Sequence, residues 1–205
     1  HIGDSHIQAD FFSGETRKLL QNDTRFGDGG RGFVFPYSAA HTNNPFDYKT
    51  AYTGTWEGKS SLKKNVSSRW GLSGWTSITN SFNSTIKIKL LEDYKDFEAS
   101  PSNHIKIYYP VMDSLSFNVS LLTENDNILS RFTSREGYVE FELKEPLTEF
   151  SIGLNKSKQN QKRFVMQGLY LENDQAGVIY SSFGVNGAKT DTYFRCEDFE
   201  THLKS

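Results

Sequence analysis

The chain has 205 residues, of which 23 are Lys or Arg and 25 Asp or Glu, for a formal net charge of −2; 36% are hydrophobic and 14% aromatic. That length buries a proper core, and the aromatic content excludes disorder over most of the chain. The charge balance excludes nucleic acid as a partner, because phosphate recognition needs a surplus of Lys and Arg; no apolar run reaches the ~18 residues of a membrane-spanning helix.

The first residues, His1-Ile2-Gly3-Asp4-Ser5-His6, read as the stub of a strand running into a Gly-Asp-Ser turn, so the chain is expected to begin inside a strand. Residues 7–22 read as a helix that turns Phe12, Thr16, Leu19 and Leu20 to one face. Gly14 weakens that helix by ~1 kcal/mol relative to Ala. Residues 25–33 hold Gly27, Gly29, Gly30 and Gly32 and read as a tight loop. It is not a phosphate loop, since no Gly-Lys-Ser/Thr follows and no helical pattern opens behind it.

Residues 50–171 change character. Seven short β-rich runs, at 85–91, 104–109, 115–122, 128–133, 138–143, 149–154 and 164–171, are separated by turn-forming stretches such as Glu124-Asn125-Asp126-Asn127. Several alternate: Ile86, Ile88 and Leu90 face one way, Lys87 and Lys89 the other. The spacing predicts an antiparallel sandwich. Trp56, Trp70 and Trp75 lie near Tyr48 and Tyr52. They are either sandwich core, the commoner use of Trp in such folds, or a platform on which sugar rings stack. Beyond Val178-Ile179-Tyr180 a small-residue loop, 181–192, leads to a terminal segment with Phe194, Phe199 and Leu203 near helical spacing. That is a strand–loop–helix unit of the α/β kind.

Gly3-Asp4-Ser5-His6, between strand and helix, suits a nucleophile: a Ser at a strand's carboxyl end exposes its hydroxyl and brings its own N–H, at the helix start, to a developing oxyanion. The same residues also make an ordinary helix cap. The single cysteine, Cys196, reads as a small buried hydrophobe, and the five histidines are scattered, so no disulfide, metal or other cofactor is expected.

Residues 3–11 resemble the first block of the SGNH (GDSL-type) hydrolases in its Gly-Asp-Ser-His form, and Val185-Asn186-Gly187-Ala188 resembles the second. The Gly-rich loop at 25–33 is similar to that of the branch acting on peptidoglycan and other O-acetylated glycans, in which a β-rich module is inserted between the two blocks. The resemblance implies an α+β chain. A partial flavodoxin-like α/β piece would form from both ends (1–34 and 179–205), and an inserted jelly-roll-like β-sandwich would span 35–178. It implies Ser5 as nucleophile, the N–H groups of Ser5 and Gly187 as oxyanion hole, and Asp4 and Asn186 in support. His6, adjacent to Ser5 and leaving along the helix, is not expected to be the base.

The implied activity is removal of O-acetyl or similar acyl groups from a cell-envelope or other polysaccharide. The setting would be the periplasm or exterior of a bacterium, with the signal peptide outside this chain; the alternative is a non-catalytic carbohydrate-binding sandwich. The family's Gly-x-Asn-Asp and Asp-x-x-His strings do not occur. Asp198 and His202 stand four apart rather than three, which on a helix is ordinary surface decoration. The chain is therefore expected to be truncated and, without an activating Asp/His pair, nearly inert alone. The same resemblance predicts that the strand stub at 1–3 and the strand near 178–182 pair in parallel. Gly187 would then come close to Ser5, the loop at 25–33 would border their cleft, and the half-sheet would be left with an open edge.

Overall fold

The computed structural model describes residues 1–91 and 99–205. Among the described residues the architecture is β-rich, with four α-helices and a 3-10 turn at Tyr37–Ala40. Strands and helices are numbered here in chain order.

Two strands from opposite ends of the chain, β1 (Ile2–Gly3) and β14 (Phe183–Gly184), pair in parallel, Ile2 opposite Phe183 and Gly3 opposite Gly184. This is the pairing expected of the two chain ends. Helices α1 (Ser5–Gln8) and α2 (Phe11–Gln21) follow β1, while α3 (Thr190–Tyr193) and α4 (Phe199–Lys204) follow β14.

Between them lie three antiparallel sheets. The first has the order β2 (Gly32–Val34), β13 (Gly168–Glu172), β7 (Ser102–Tyr108), β10 (Tyr138–Leu147), β9 (Ile128–Ser134). The second runs β3 (Tyr48–Tyr52), β6 (Thr85–Leu90), β11 (Glu149–Asn155), β8 (Asn118–Leu122). The third runs β12 (Phe164–Met166), β5 (Trp75–Thr79), β4 (Glu57–Ser60). Alternation explains their faces. Ile105 and Ile107 of β7, Val139 and Phe141 of β10, Ile86 and Ile88 of β6, and Ile152 and Leu154 of β11 all enter one apolar cluster, which Phe164 and Met166 join from the third sheet and Trp56 from the segment before β4. β2, on the chain-end side of the boundary expected at 34, is an edge strand of the first sheet.

The helix expected over 7–22 is broken at Ala9–Asp10, where Asp10 adopts a left-handed φ of 61°. Its buried face is also not the expected one. Ser13, Gly14 and Arg17 are buried, whereas Phe12 and Leu19 are 65% and 66% exposed. The cause is a buried quartet of charges. Arg17 Nη2 donates to Asp10 and, at 2.7 Å, to Asp47 Oδ2; Arg31 donates to Asp47 from Nε (2.9 Å) and Nη2 (3.1 Å) and to Asp10 Oδ2 (3.2 Å). Asp10 Oδ1 also accepts from Ser13 and from Ser182 at 2.8 Å. Burial raises the Asp10 pKa, but the charges of Arg31 and Arg17 outweigh it and hold the carboxyl below its usual range. Charges this deep must be paired to exist, so the helix follows Arg17 inward rather than its apolar residues.

The terminal segment departs in the same way. Phe194 is 84% exposed and Leu203 is exposed, while Cys196, Asp198 and His202 are buried. Asp198 and His202 are therefore not the surface decoration expected of them. Asp198 receives two 2.7 Å bonds from Arg69 and one of 2.6 Å from Gln167 Nε2, and the His202 ring lies 4.4 Å from that of Tyr108 on β7. Burial lowers the His202 pKa to about 4 against the opposing pull of Asp198. This pair docks α4 onto the β-rich part.

Candidate active site

The end of β1 and the start of α1 put Ser5 where an open α/β sheet exposes its ligands, at the carboxyl end of a strand. The Asp4 carboxylate caps α1 by accepting the His6 N–H at 3.2 Å, and this bond is the leading cause of its lowered pKa. Ser5 is exposed. Among the described residues no side chain hydrogen-bonds its hydroxyl. The His6 ring faces Asp4, with Nδ1 3.4 Å from Oδ1, and is otherwise bathed in solvent.

The loop after β14 is fixed to the same corner. Val185 N–H donates to Gly3 O at 3.2 Å, continuing the parallel ladder, and Ala188 N–H closes a turn on Val185 O at 2.8 Å. Asn186 and Gly187 occupy the turn's two central positions, and Gly187 has φ 78°, which the third position of a type II turn requires of a glycine. Ser5 and Gly187 thus lie just beyond the carboxyl ends of adjacent parallel strands. Close approach makes this possible: a Cβ on Gly184 would collide with the backbone of Gln8 in α1.

Gln8 is a residue that sequence reading missed. It is buried, its Oε1 accepts the Asn186 N–H at 2.9 Å, and its Nε2 donates to Thr42 Oγ1 and Asn43 O, both at 3.2 Å. It therefore holds the Gly187 turn against the helix that begins with Ser5. Asn186 takes part through its backbone; its side chain is exposed. Tyr193 adds a clamp, its hydroxyl donating to Gly3 O at 2.6 Å and Phe183 O at 3.1 Å, and burial keeps that phenol protonated far above neutral pH.

Beside this corner is a cleft of about 680 Å³ lined by Ile2, Gly3, Asp4, Ala188, Lys189, Thr190, Tyr193, Phe194 and Phe199. The loop at 25–33 does not line it; that loop lies along the chain at 176–178, with Asp28 bridged to Val178. Nor do Trp56 and Trp70 meet the sugar-platform expectation. Trp56 and Trp70 are 4% and 5% exposed, Trp56 Nε1 is bonded to Thr53 O at 2.9 Å, and Trp75 is half-buried. Faces packed in a core cannot stack on a ligand. Cys196 is buried, and burial raises its thiol to about 11, so it offers no thiolate. Among the described residues no three His, Cys, Asp or Glu side chains are grouped to hold a metal, and no helix is long and apolar enough to cross a membrane.

No protein-family profile matches the chain, and no curated protein matches it. Among solved structures, it is similar to one described as "Peptidoglycan O-acetylesterase in action, 5 min", with a TM-score of 0.63 and 22% sequence identity over 95% of this chain and 48% of that one. The likeness is one of fold. The chain spans about half the length of that structure.

Proposed function

We propose that the chain is the nucleophile-bearing part of an SGNH-type serine esterase that removes O-acetyl groups from a polysaccharide of the bacterial cell envelope, peptidoglycan being the first candidate. One observation carries the reading. The fold likeness to a peptidoglycan O-acetylesterase extends over nearly the whole chain, and in this fold the Gly-Asp-Ser-His motif stands at the end of β1, beside the Gly187 turn. In this reading residues 1–34 and 179–205 form the hydrolase portion and residues 35–178 an inserted jelly-roll-like sandwich that borders the substrate.

Ser5 Oγ attacks the acetyl carbonyl. The N–H groups of Ser5 and Gly187 receive the oxyanion, the sugar hydroxyl departs, and water releases acetate from the acetyl-enzyme. Asp4 holds the helix start, and Asn186 shapes the turn through its backbone. The proton on Ser5 needs a base, and among the described residues no side chain hydrogen-bonds its hydroxyl.

The test is acetyl-ester hydrolysis, on a chromogenic acetate and on O-acetylated peptidoglycan, by the complete polypeptide its gene encodes. Ser5→Ala is expected to lower kcat at least about 1000-fold, the scale seen when a triad member is lost. Equal rates for the two proteins would end the proposal. Gly187→Pro, which deletes the N–H while forbidding the observed φ, is expected to cost about 100-fold or more.

A further inference from the structure

The turn that carries Gly187 is held from three directions. From β1, Gly3 O accepts the Val185 N–H at 3.2 Å. From the β-rich part, the Tyr37 hydroxyl donates to Gly184 O at 3.2 Å. From α1, Gln8 Oε1 accepts the Asn186 N–H at 2.9 Å. Asn186 immediately precedes Gly187, so this last bond sets the direction of the amide that follows. Among the described residues the Gly187 N–H donates to no protein atom, so it is free to meet a substrate oxygen.

The Gln8 carboxamide has one orientation. The residue is buried, so its polar atoms need partners within the protein. Nε2 donates at 3.2 Å to both Thr42 Oγ1 and Asn43 O. A backbone carbonyl on one side only accepts and a backbone N–H on the other only donates, so a flipped carboxamide would lose both. Thr42 and Asn43 belong neither to α1 nor to the Gly187 turn. They follow the 3-10 turn Tyr37–Ala40, and Thr42 N–H donates to Tyr37 O at 3.1 Å. That segment is pinned to the sheets in its turn. Ser38 Oγ lies 2.6 Å from Thr50 Oγ1 of β3, and His41 Nε2 donates to Trp56 O at 2.9 Å. A Cβ on Gly58 of β4 would strike Ala40 O, so turn and strand are in close contact. Contacts therefore run without a gap from β3 and β4, through Thr42 and Asn43, to Gln8 and the turn.

We propose that Gln8, Thr42 and Asn43 are positioning residues for the reaction: through the Gln8 carboxamide the β-rich part fixes the turn that aims the Gly187 N–H at the oxyanion. An oxyanion donor works by being in place before charge develops, so whatever stiffens its support acts on the transition state more than on substrate binding. The β-rich part is thus a working component of the corner at Ser5 and not only a lobe beside it. The proposal rests on reading Ser5 and Gly187 as nucleophile and oxyanion hole.

The experiment uses the polypeptide its gene encodes, a chromogenic acetate as substrate, and amide hydrogen exchange as a readout independent of activity. Gln8→Met keeps the length of the side chain and removes both ends of the link. It is expected to lower kcat about 30-fold with KM within about twofold, the split of a group that serves the transition state. Exchange at the Asn186 amide is expected to quicken about 10-fold or more, with that at Val185 unchanged. Thr42→Val touches neither the turn nor Ser5 and leaves Asn43 O as the second anchor, so both effects are expected at about threefold, the scale of one hydrogen bond. This milder variant keeps the proposal testable if Gln8→Met folds poorly. Met112→Ala, exposed in the β-rich part, is expected to leave both readouts in place. A Gln8→Met kcat within about twofold of the parent, a loss confined to KM, or unchanged exchange at Asn186 overturns the proposal. So does a Thr42→Val variant indistinguishable from Met112→Ala. If the parent shows no hydrolysis that depends on Ser5, the esterase reading fails instead, and exchange at Asn186 still decides whether Gln8 and Thr42 hold the turn.

Discussion

In β6 the apolar Ile86, Ile88 and Leu90 are buried and the intervening Lys87 and Lys89 are exposed. In α2 the order is reversed: Arg17 is wholly buried, and Phe12 and Leu19 stand in solvent. The first region behaves as a sheet whose two faces are completed within the chain, one by the core and one by water. The second is fastened by ions. Arg17, Arg31, Asp10 and Asp47 tie the helix inward, Arg69 and Gln167 hold Asp198 at the other end, and Phe12 and Leu19 of α2 and Leu203 of α4 are left exposed. The difference teaches that a helix turns inward whichever face its buried, paired charges require, and that its apolar pattern predicts the buried face only where no such pairing competes.

The comparison breaks if losing a charge from the quartet costs far less than losing a side chain from the sheet core. Asp47→Ala leaves Arg17 and Arg31 facing the single carboxylate of Asp10, and is expected to cost about 3–5 kcal/mol. Phe141→Ala in the sheet core is expected to cost a similar 3–5 kcal/mol, by cavity formation. Denaturant midpoints measure both. A loss under about 1 kcal/mol for Asp47→Ala would show that the quartet does not fasten the chain ends.

A smaller effect follows from His202, whose pKa is lowered to about 4 from an ordinary 6.5. The unfolded chain takes up the proton first as pH falls. The stability linked to this group is therefore complete above pH 6.5, declines between 6.5 and 4, and is gone below 4, a change of about 3 kcal/mol at the limit. His202 Nδ1 has no hydrogen-bond partner among the described residues, so His202→Leu forfeits no bond there. It is expected to flatten that part of the pH–stability curve; an unchanged slope would place the titrating group elsewhere. The smallest effect sharpens the contrast. Phe12→Ser and Leu19→Ser, large losses in any helix that packs by its apolar face, are expected to stay within about 0.5 kcal/mol in this chain.

The sequence made the sheets legible where side chains alternate over five or more residues. All seven expected runs hold strands, the last divided at Gln167 into β12 and β13. Gly32–Val34, Tyr48–Tyr52, Glu57–Ser60 and Trp75–Thr79 were not among the expected runs; their pairing partners, more than their own pattern, make them strands. The parallel pairing of the chain ends came from the resemblance of two short motifs and from no periodicity at all. Gln8 was hidden because its work is a hydrogen bond to a residue at the far end of the chain, and no local pattern encodes that. The fates of Trp56 and Trp70 followed the general preference of large aromatics for cores.

The register of β1 on β14 also sets the order in which the molecule can assemble. β9 and β10 meet across the short turn between Ser134 and Tyr138, so they can zip as soon as both exist. Ile2 must instead wait for Phe183, with almost all of this 205-residue chain between them. Closing so long a loop is entropically unfavourable until the intervening chain has collapsed and brought its ends near each other. The β-rich part thus serves as the template on which the ends meet. During synthesis Ser5 emerges well before Phe183, so the corner between β1 and α1 stays without its parallel partner until β14 emerges.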